Sequence, residues 1–149
     1  KGELFLNLQA RAAFSTDFSG INKRGYVFQP VFSYRQRGWL SEKTALSISL
    51  SPTWATEKLH DYFYQVDSNF VTEQRQAYEA KSGYLGTDLS IGWSFNATKD
   101  IRIFTFARTS LHSGSANEDS PLFRDKSTYS YGIGMVWRLW VSEEKVSGR

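Results

Sequence analysis

His60 and His112 are the only imidazoles in this chain, and it contains no cysteine. Ser110 and His112 stand two apart, so on an extended segment they would share a face, as a nucleophile and its base must. No third group orients that histidine, and a polar strand end is the simpler reading. Asp61 and Asp67 would also share a strand face. An acid–base pair needs carboxyls about 5–10 Å apart, and these read better as solvated strand-end residues. The two histidines lie far apart with no acidic residue at ligand spacing, which predicts loop-end histidines near an interface rather than metal ligands. "GTDLSIG" lacks the lysine and the strand–helix context of a phosphate loop. "NAT" at 96–98 matches a glycosylation sequon but reads as turn chemistry. The residues therefore predict no enzyme, no metal and no cofactor.

The elements that carry these residues are strands. In "STYSYGIGMVWRLWV" (127–141) every second residue from Tyr129 to Leu139 is large and apolar or aromatic, with Ser130, Gly132, Gly134, Val136 and Arg138 between. Such alternation marks a β-strand with two unlike faces. "GELFLNLQARAAFS", "GYVFQPVFSYRQ", "TALSISLSPTWA", "LGTDLSIGWSFNA" and, less cleanly, "DIRIFTFARTSL" and "HDYFYQVDS" repeat the pattern. No segment sustains a 3.6-residue period. The expectation is about seven strands of roughly 9–14 residues, long enough for tilted strands to cross a bilayer. "NATKD" reads as a tight turn, while 69–83 and 112–127 are long polar loops. With a periplasmic C-terminus, both long loops fall outside. The first connection, "STDFSGINKRG", then falls inside, where it is long for a periplasmic turn. Pro30 and Pro52 interrupt apolar faces, and each removes a ladder hydrogen bond.

Aromatic residues make up 16 % of the 149 residues and the net charge is +3. No window approaches the ~18 apolar residues of a transmembrane helix. The basic residues are dispersed, which predicts no nucleic-acid partner. The chain starts on "KGELFLNLQ" without initiator Met or signal peptide, as a mature or truncated product would. A lipocalin-like soluble barrel that binds a ligand in an apolar cavity is the main alternative to a membrane barrel. Against it, the polar faces are built of Ser, Gly, Thr, Asn and Gln rather than Lys and Glu. Their isolated charges, Arg11, Arg35, Asp88, Arg102, Arg108 and Arg138, suit a crowded lumen in which charges pair. Tyr26, Tyr34, Trp54, Tyr129 and Trp137 fall near strand ends, as an aromatic girdle at the two headgroup levels requires. The expected fold is an all-β, antiparallel up-and-down transmembrane β-barrel over 1–141, followed by a polar tail over 142–149. Gly132 and Gly134 would face the lumen and leave room for a large neighbour.

Three short elements resemble the MipA/OmpV family of outer-membrane proteins. They are Tyr62-Phe63-Tyr64 with Val66, then Ala77-Tyr78 with Gly83, then Asp119-Ser120-Pro121, in the family's order and approximate spacing. The resemblance implies a Gram-negative outer-membrane barrel with a periplasmic C-terminus. Family members are usually longer, which implies missing N-terminal strands and leaves open pairing with other barrel subunits. The family's named member is a scaffold that links a murein-degrading lytic transglycosylase to a peptidoglycan synthase. Other members are associated with adhesion, antibiotic response or solute passage. The expectation is thus a scaffolding protein of the cell envelope, embedded in outer-membrane lipid. The alternative is a small-solute channel whose inward arginines favour anions. The loop "SANEDSPLFRDKS" is the best candidate functional element: as such it would fold back into the barrel or touch a partner, and the simpler alternative is a solvated loop with a family-typical turn.

Overall fold

Six strands, each antiparallel to the next, pair in sequence order in the computed structural model, which describes residues 1–18 and 20–140. They are β1 (Gly2–Asp17), β2 (Gly20–Arg37), β3 (Thr44–Ala55), β4 (Gly83–Asn96), β5 (Ile101–Leu111) and β6 (Ser127–Trp137). The all-β, up-and-down class expected from the alternation is present, with β1 and β6 at the two ends of the pairing order. The polar tail expected over 142–149 lies outside the described residues.

The strand count is six, not seven. "HDYFYQVDS" forms the end of a helix, α1 (Glu57–Tyr64), and leads into a 3-10 turn at Ser68–Phe70. Leu59 and His60 are buried on one helical flank, and the Tyr64 ring lies 5.7 Å from that of His60. Two helical turns are too short for a period of 3.6 to stand out against a period of two. A strand between β3 and β4 is also excluded by their pairing with each other, from Thr44↔Phe95 to Ala55↔Gly83.

Losing one strand reverses the direction of everything before it. The β1–β2 hairpin therefore shares an end of the sheet with the long loops 56–82 and 112–126, while 38–43 and 97–100 make the short connections at the other end. "STDFSGINKRG" is no long turn, because β1 runs to Asp17 and β2 starts at Gly20. The conflict raised by the sequence disappears with the extra strand.

Register gives the sheet two faces. Leu4, Tyr34, Ile48, Ile91, Ala107 and Tyr131 are successive cross-strand neighbours, and Leu6, Phe32, Leu50, Leu89, Thr109 and Tyr129 form the next row. Ser33, Ser49, Ser90, Arg108 and Ser130 form a row on the opposite face. Most of the large apolar side chains are exposed, among them Leu6 58 %, Ile91 47 % and Ile133 77 %, while Leu46 is buried. Ser51 and Thr53 on the other face are buried. Small residues more shielded than large ones are what a sheet curled toward its polar side would give. A lipocalin-like barrel needs the opposite curvature, with the apolar face concave.

The two prolines have a shared solution. The β2–β3 ladder runs from Arg37↔Ala45 to Phe32↔Leu50, then resumes at Phe28↔Trp54 in the same register. Pro30 and Pro52 face each other in the gap. Two missing N–H groups therefore interrupt one stretch of ladder instead of two.

On β5, Phe104 and Phe106 point to the polar face, where their β6 neighbours are Gly134 and Gly132. Each ring lies over a glycine, and a Cβ at Gly132 would stand 2.6 Å from the Phe106 ring. Gly132→Ala should lower stability in detergent by about 1–3 kcal/mol through overpacking, read from the urea midpoint of the folded protein. Adding Phe106→Leu should recover most of the loss. An unchanged midpoint for Gly132→Ala would refute this account of the glycine.

Candidate functional site

The best-shielded part of the molecule is a cap on the long-loop end of the sheet. Ala55, Leu59, Val66 and Ala80 are buried there, with Leu46 the remaining buried apolar residue among those described. β2 passes close beneath the start of α1. The Tyr26 amide donates to Thr56 Oγ1 at 3.0 Å, and the Thr56 amide donates to the Tyr26 carbonyl at 3.1 Å. Gly25 makes this possible: its φ is +131°, and a Cβ would collide with the Thr56 side chain and meet the Leu59 amide nitrogen at 3.2 Å. The Arg24 guanidinium lies 4.4 Å from the centre of the Tyr62 ring and holds the outer flank of α1.

At the centre of the cap is a buried polar knot. Asn117 is fully buried and His60 is 1 % exposed. Asn117 Oδ1 accepts from the Lys81 amide at 2.8 Å and from the Tyr78 hydroxyl at 3.2 Å. That fixes which end of the amide is which. Nδ2 therefore donates, to the Lys81 carbonyl at 2.8 Å and to His60 Nδ1 at 2.6 Å. His60 Nδ1 must be unprotonated, so the ring is neutral with its proton on Nε2. Burial drives the His60 pKa below its usual value, against weaker opposing pulls from the Gly83 backbone and Asp61. Burial also raises the pKa of Tyr64, and raises that of Tyr78 with help from Asp119.

The 112–126 loop is tied down around this knot. Ser120 donates to the Tyr64 carbonyl at 2.8 Å, and Phe123 packs 6.4 Å from the Tyr64 ring. Lys126 pairs with Glu118 at 2.6 Å, and Glu118 also accepts from the Gly114 amide. The loop "SANEDSPLFRDKS" thus packs against α1 through Ser120, Phe123 and Asn117.

The polar face carries a second network. Asp88 accepts from Arg108 and Ser110, and from Gln29 at 3.4 Å, while Arg11 donates to Gln29. Arg102 donates to Asn96 at 2.8 Å. Arg35 stacks at 5.6 Å on Phe5, and Arg138 pairs with Asp100 of the β4–β5 turn at 2.8 Å. The predicted polar-face charges thus divide into the Asp88 cluster (Arg11, Arg108) and a separate set near the short connections (Arg35, Arg102, Arg138). Ser110 serves Asp88, whereas His112 bonds the Leu85 carbonyl at 3.1 Å, so no Ser–His couple forms. Among the described residues no three potential metal ligands converge.

Residues 1–139 match the family described as MltA-interacting protein MipA. The chain belongs to the MipA family. No curated protein and no solved structure matches it. MipA proteins form an outer-membrane family, in keeping with an all-β sheet. The three stretches that resemble the family meet in the cap. Val66 and Tyr78 form an antiparallel bridge, Ser120 reaches back to Tyr64, and Gly83 opens β4 beside the His60 ring. Tyr62 and Phe63 are exposed on α1 with their rings edge to face at 5.1 Å, and Asp119 and Pro121 are exposed on the loop. Asn117, which ties His60 to Tyr78 and Lys81, was not singled out by the sequence. An asparagine two residues before Asp119 gives no pattern that separates a buried hub from an ordinary loop amide.

Proposed function

We propose that this MipA-family chain is a wall of an outer-membrane β-barrel, with its convex apolar face in lipid and its polar face turned to the lumen. The observation that carries the reading is the uncovered apolar face. Leu4, Ile133, Met135 and Tyr129 are each at least 60 % exposed, with no second layer over them among the described residues. An apolar face of that extent marks a surface made for another apolar phase. Tyr26 and Tyr34 on β2, and Tyr129 and Trp137 on β6, bracket it at equal separations along their strands. Eight residues span about 26 Å, close to the ~25 Å apolar band of such barrels. Trp54 belongs to the same band, linked by ring contacts of 6.3 Å to Phe28 and 6.0 Å to Tyr84.

The short connections 38–43 and 97–100 then face the periplasm with the C-terminus, and the cap faces outward. In this orientation the periplasmic turns are the surface through which the protein contacts peptidoglycan-remodelling enzymes as a scaffold. The family's description as an MltA-interacting protein supports a lytic transglycosylase as that partner, and a peptidoglycan synthase would be the second. The protein should require detergent for extraction and migrate differently on gels when unheated. Replacing both short turns should abolish co-purification with the transglycosylase and leave the heat shift intact. Retention of the enzyme by the turn-swapped protein would sink the scaffolding reading.

A second reading, an anion-leaning solute channel, is favoured by the cations grouped on the polar face at this same end. Arg35, Arg37, Lys43 and Arg102 line one groove there with a single carboxylate, Glu42.

A further inference from the structure

That groove has the construction of a ligand site. Its volume is about 670 Å³ and its floor is made of Ala45, Ser47, Gly92 and Ser94, side chains too short to fill it. Gly92 keeps the floor low, and a Cβ there would displace the Ser47 hydroxyl, 2.8 Å away. One wall carries Arg35 and Arg37 from the end of β2, and the other carries Arg102 with Phe104 and Phe106 from β5. The two phenyl rings lie over the glycines of β6, away from the floor, which keeps the trough open.

Charge in the trough is unbalanced. Four cations face one carboxylate within the lining. Asp88 is engaged by Arg108 and Asp100 by Arg138, so neither supplies the missing negative charge. Glu3 is the register neighbour of Arg35 but lies outside the lining. Arg102 is oriented through Nε by Asn96, which leaves its terminal nitrogens directed elsewhere. Guanidinium groups held at fixed positions bind planar oxyanions through paired hydrogen bonds, where lysine provides only a point charge.

We propose that this groove binds a small solute carrying two or more carboxylate or phosphate groups, gripped between the arginines of β2 and β5. The proposal rests on the polar face being the wetted inner face, and it places the site at the mouth formed by the short connections. Titration calorimetry on the folded protein in detergent, with citrate and inorganic pyrophosphate as probes, tests it. At least one probe should bind and weaken as salt is added. Which probe binds separates carboxylate from phosphate preference. Arg37→Gln and Arg102→Gln should each weaken binding about tenfold, while Arg124→Gln in the opposite loop leaves it unchanged. Ser94→Glu, which keeps every cation but puts a negative charge in the floor, should abolish binding. Heat-modifiable migration checks that each variant is folded. No binding by the folded parent, or equal binding by Arg37→Gln and Arg102→Gln, would overturn the site. Planar-bilayer conductance separates this from the channel reading. Binding without conductance removes the channel and keeps the site, and conductance without binding removes the site and keeps the channel.

Discussion

Asn117→Ala should release the cap and leave the sheet standing. The substitution removes an acceptor for the Lys81 amide and the Tyr78 hydroxyl, and a donor for the Lys81 carbonyl and His60 Nδ1. Tyr78 can turn to water, but the Lys81 backbone groups and the His60 nitrogen lose their partner inside the cap. Leaving a buried polar group unmatched costs about 1–3 kcal/mol each, and water entering the vacated space returns part of that. A net local loss of about 3 kcal/mol corresponds to roughly a hundredfold faster amide exchange at ~1.4 kcal/mol per decade. The faster exchange should cover 78–83 and 115–123, the segments that Asn117 joins. Amides of β4 and β5 within the sheet should keep their parental protection, since their ladders from Thr87↔Leu111 to Asn96↔Arg102 do not pass through the knot. Uniform loss of protection across the sheet would mean that the cap and the sheet fold as one unit. Unchanged exchange at 78–83 would mean that Asn117 is not the hub.

The difference between the knot and the sheet explains what the sequence disclosed. A strand facing two unlike media writes its orientation into every second residue, so "TALSISLSPTWA" identifies itself and both of its faces. Gly132 and Gly134 fell on the polar face as expected and make room for Phe106 and Phe104. The charged residues could be placed on one face but not paired, because pairing depends on register. Gln29 and Asp88 meet across the intervening β3, a relation that no local pattern encodes. α1 was hidden for another reason. Tyr62, Tyr64 and Val66, at and just past its end, alternate as a strand would, and the direct β3–β4 pairing leaves no place for that strand. That one error carried the misplaced β1–β2 hairpin with it. The proline pair shows the same limit: each residue looked like a defect alone, and the register makes them one shared gap.

The His60 ring makes the cap sensitive to acid. Its folded pKa lies below the ordinary 6.5, because burial disfavours the imidazolium. A group with a depressed folded pKa contributes stability that is present above its unfolded value and lost as pH falls through the folded one. The cap should therefore hold fully above about pH 6.5 and loosen below it, by up to ~1.4 kcal/mol per pH unit for one proton. The hydrogen bond gives the same sign. Protonating Nδ1 sets an N–H against the Asn117 amide NH2, whose orientation the Lys81 amide fixes. Asp61 is the nearby acid that favours the charged ring, and burial outweighs it. Glu118, held low chiefly by its hydrogen bond to Lys126, contributes in the same direction but in a lower window, below its ordinary 4.5. Lys126, raised by that partner, contributes below its ordinary 10.5 and loses its contribution as pH climbs past that value. Both ends of this pair meet water, so its share is small. Limited proteolysis within 66–82 should rise between pH 7.5 and pH 5.5 when scaled to an unfolded peptide of the same sequence. In His60→Gln that rise should be absent, since glutamine has no proton to gain and can still offer an acceptor to Asn117. Equal pH responses in the parent and His60→Gln would move the acid sensitivity away from this ring.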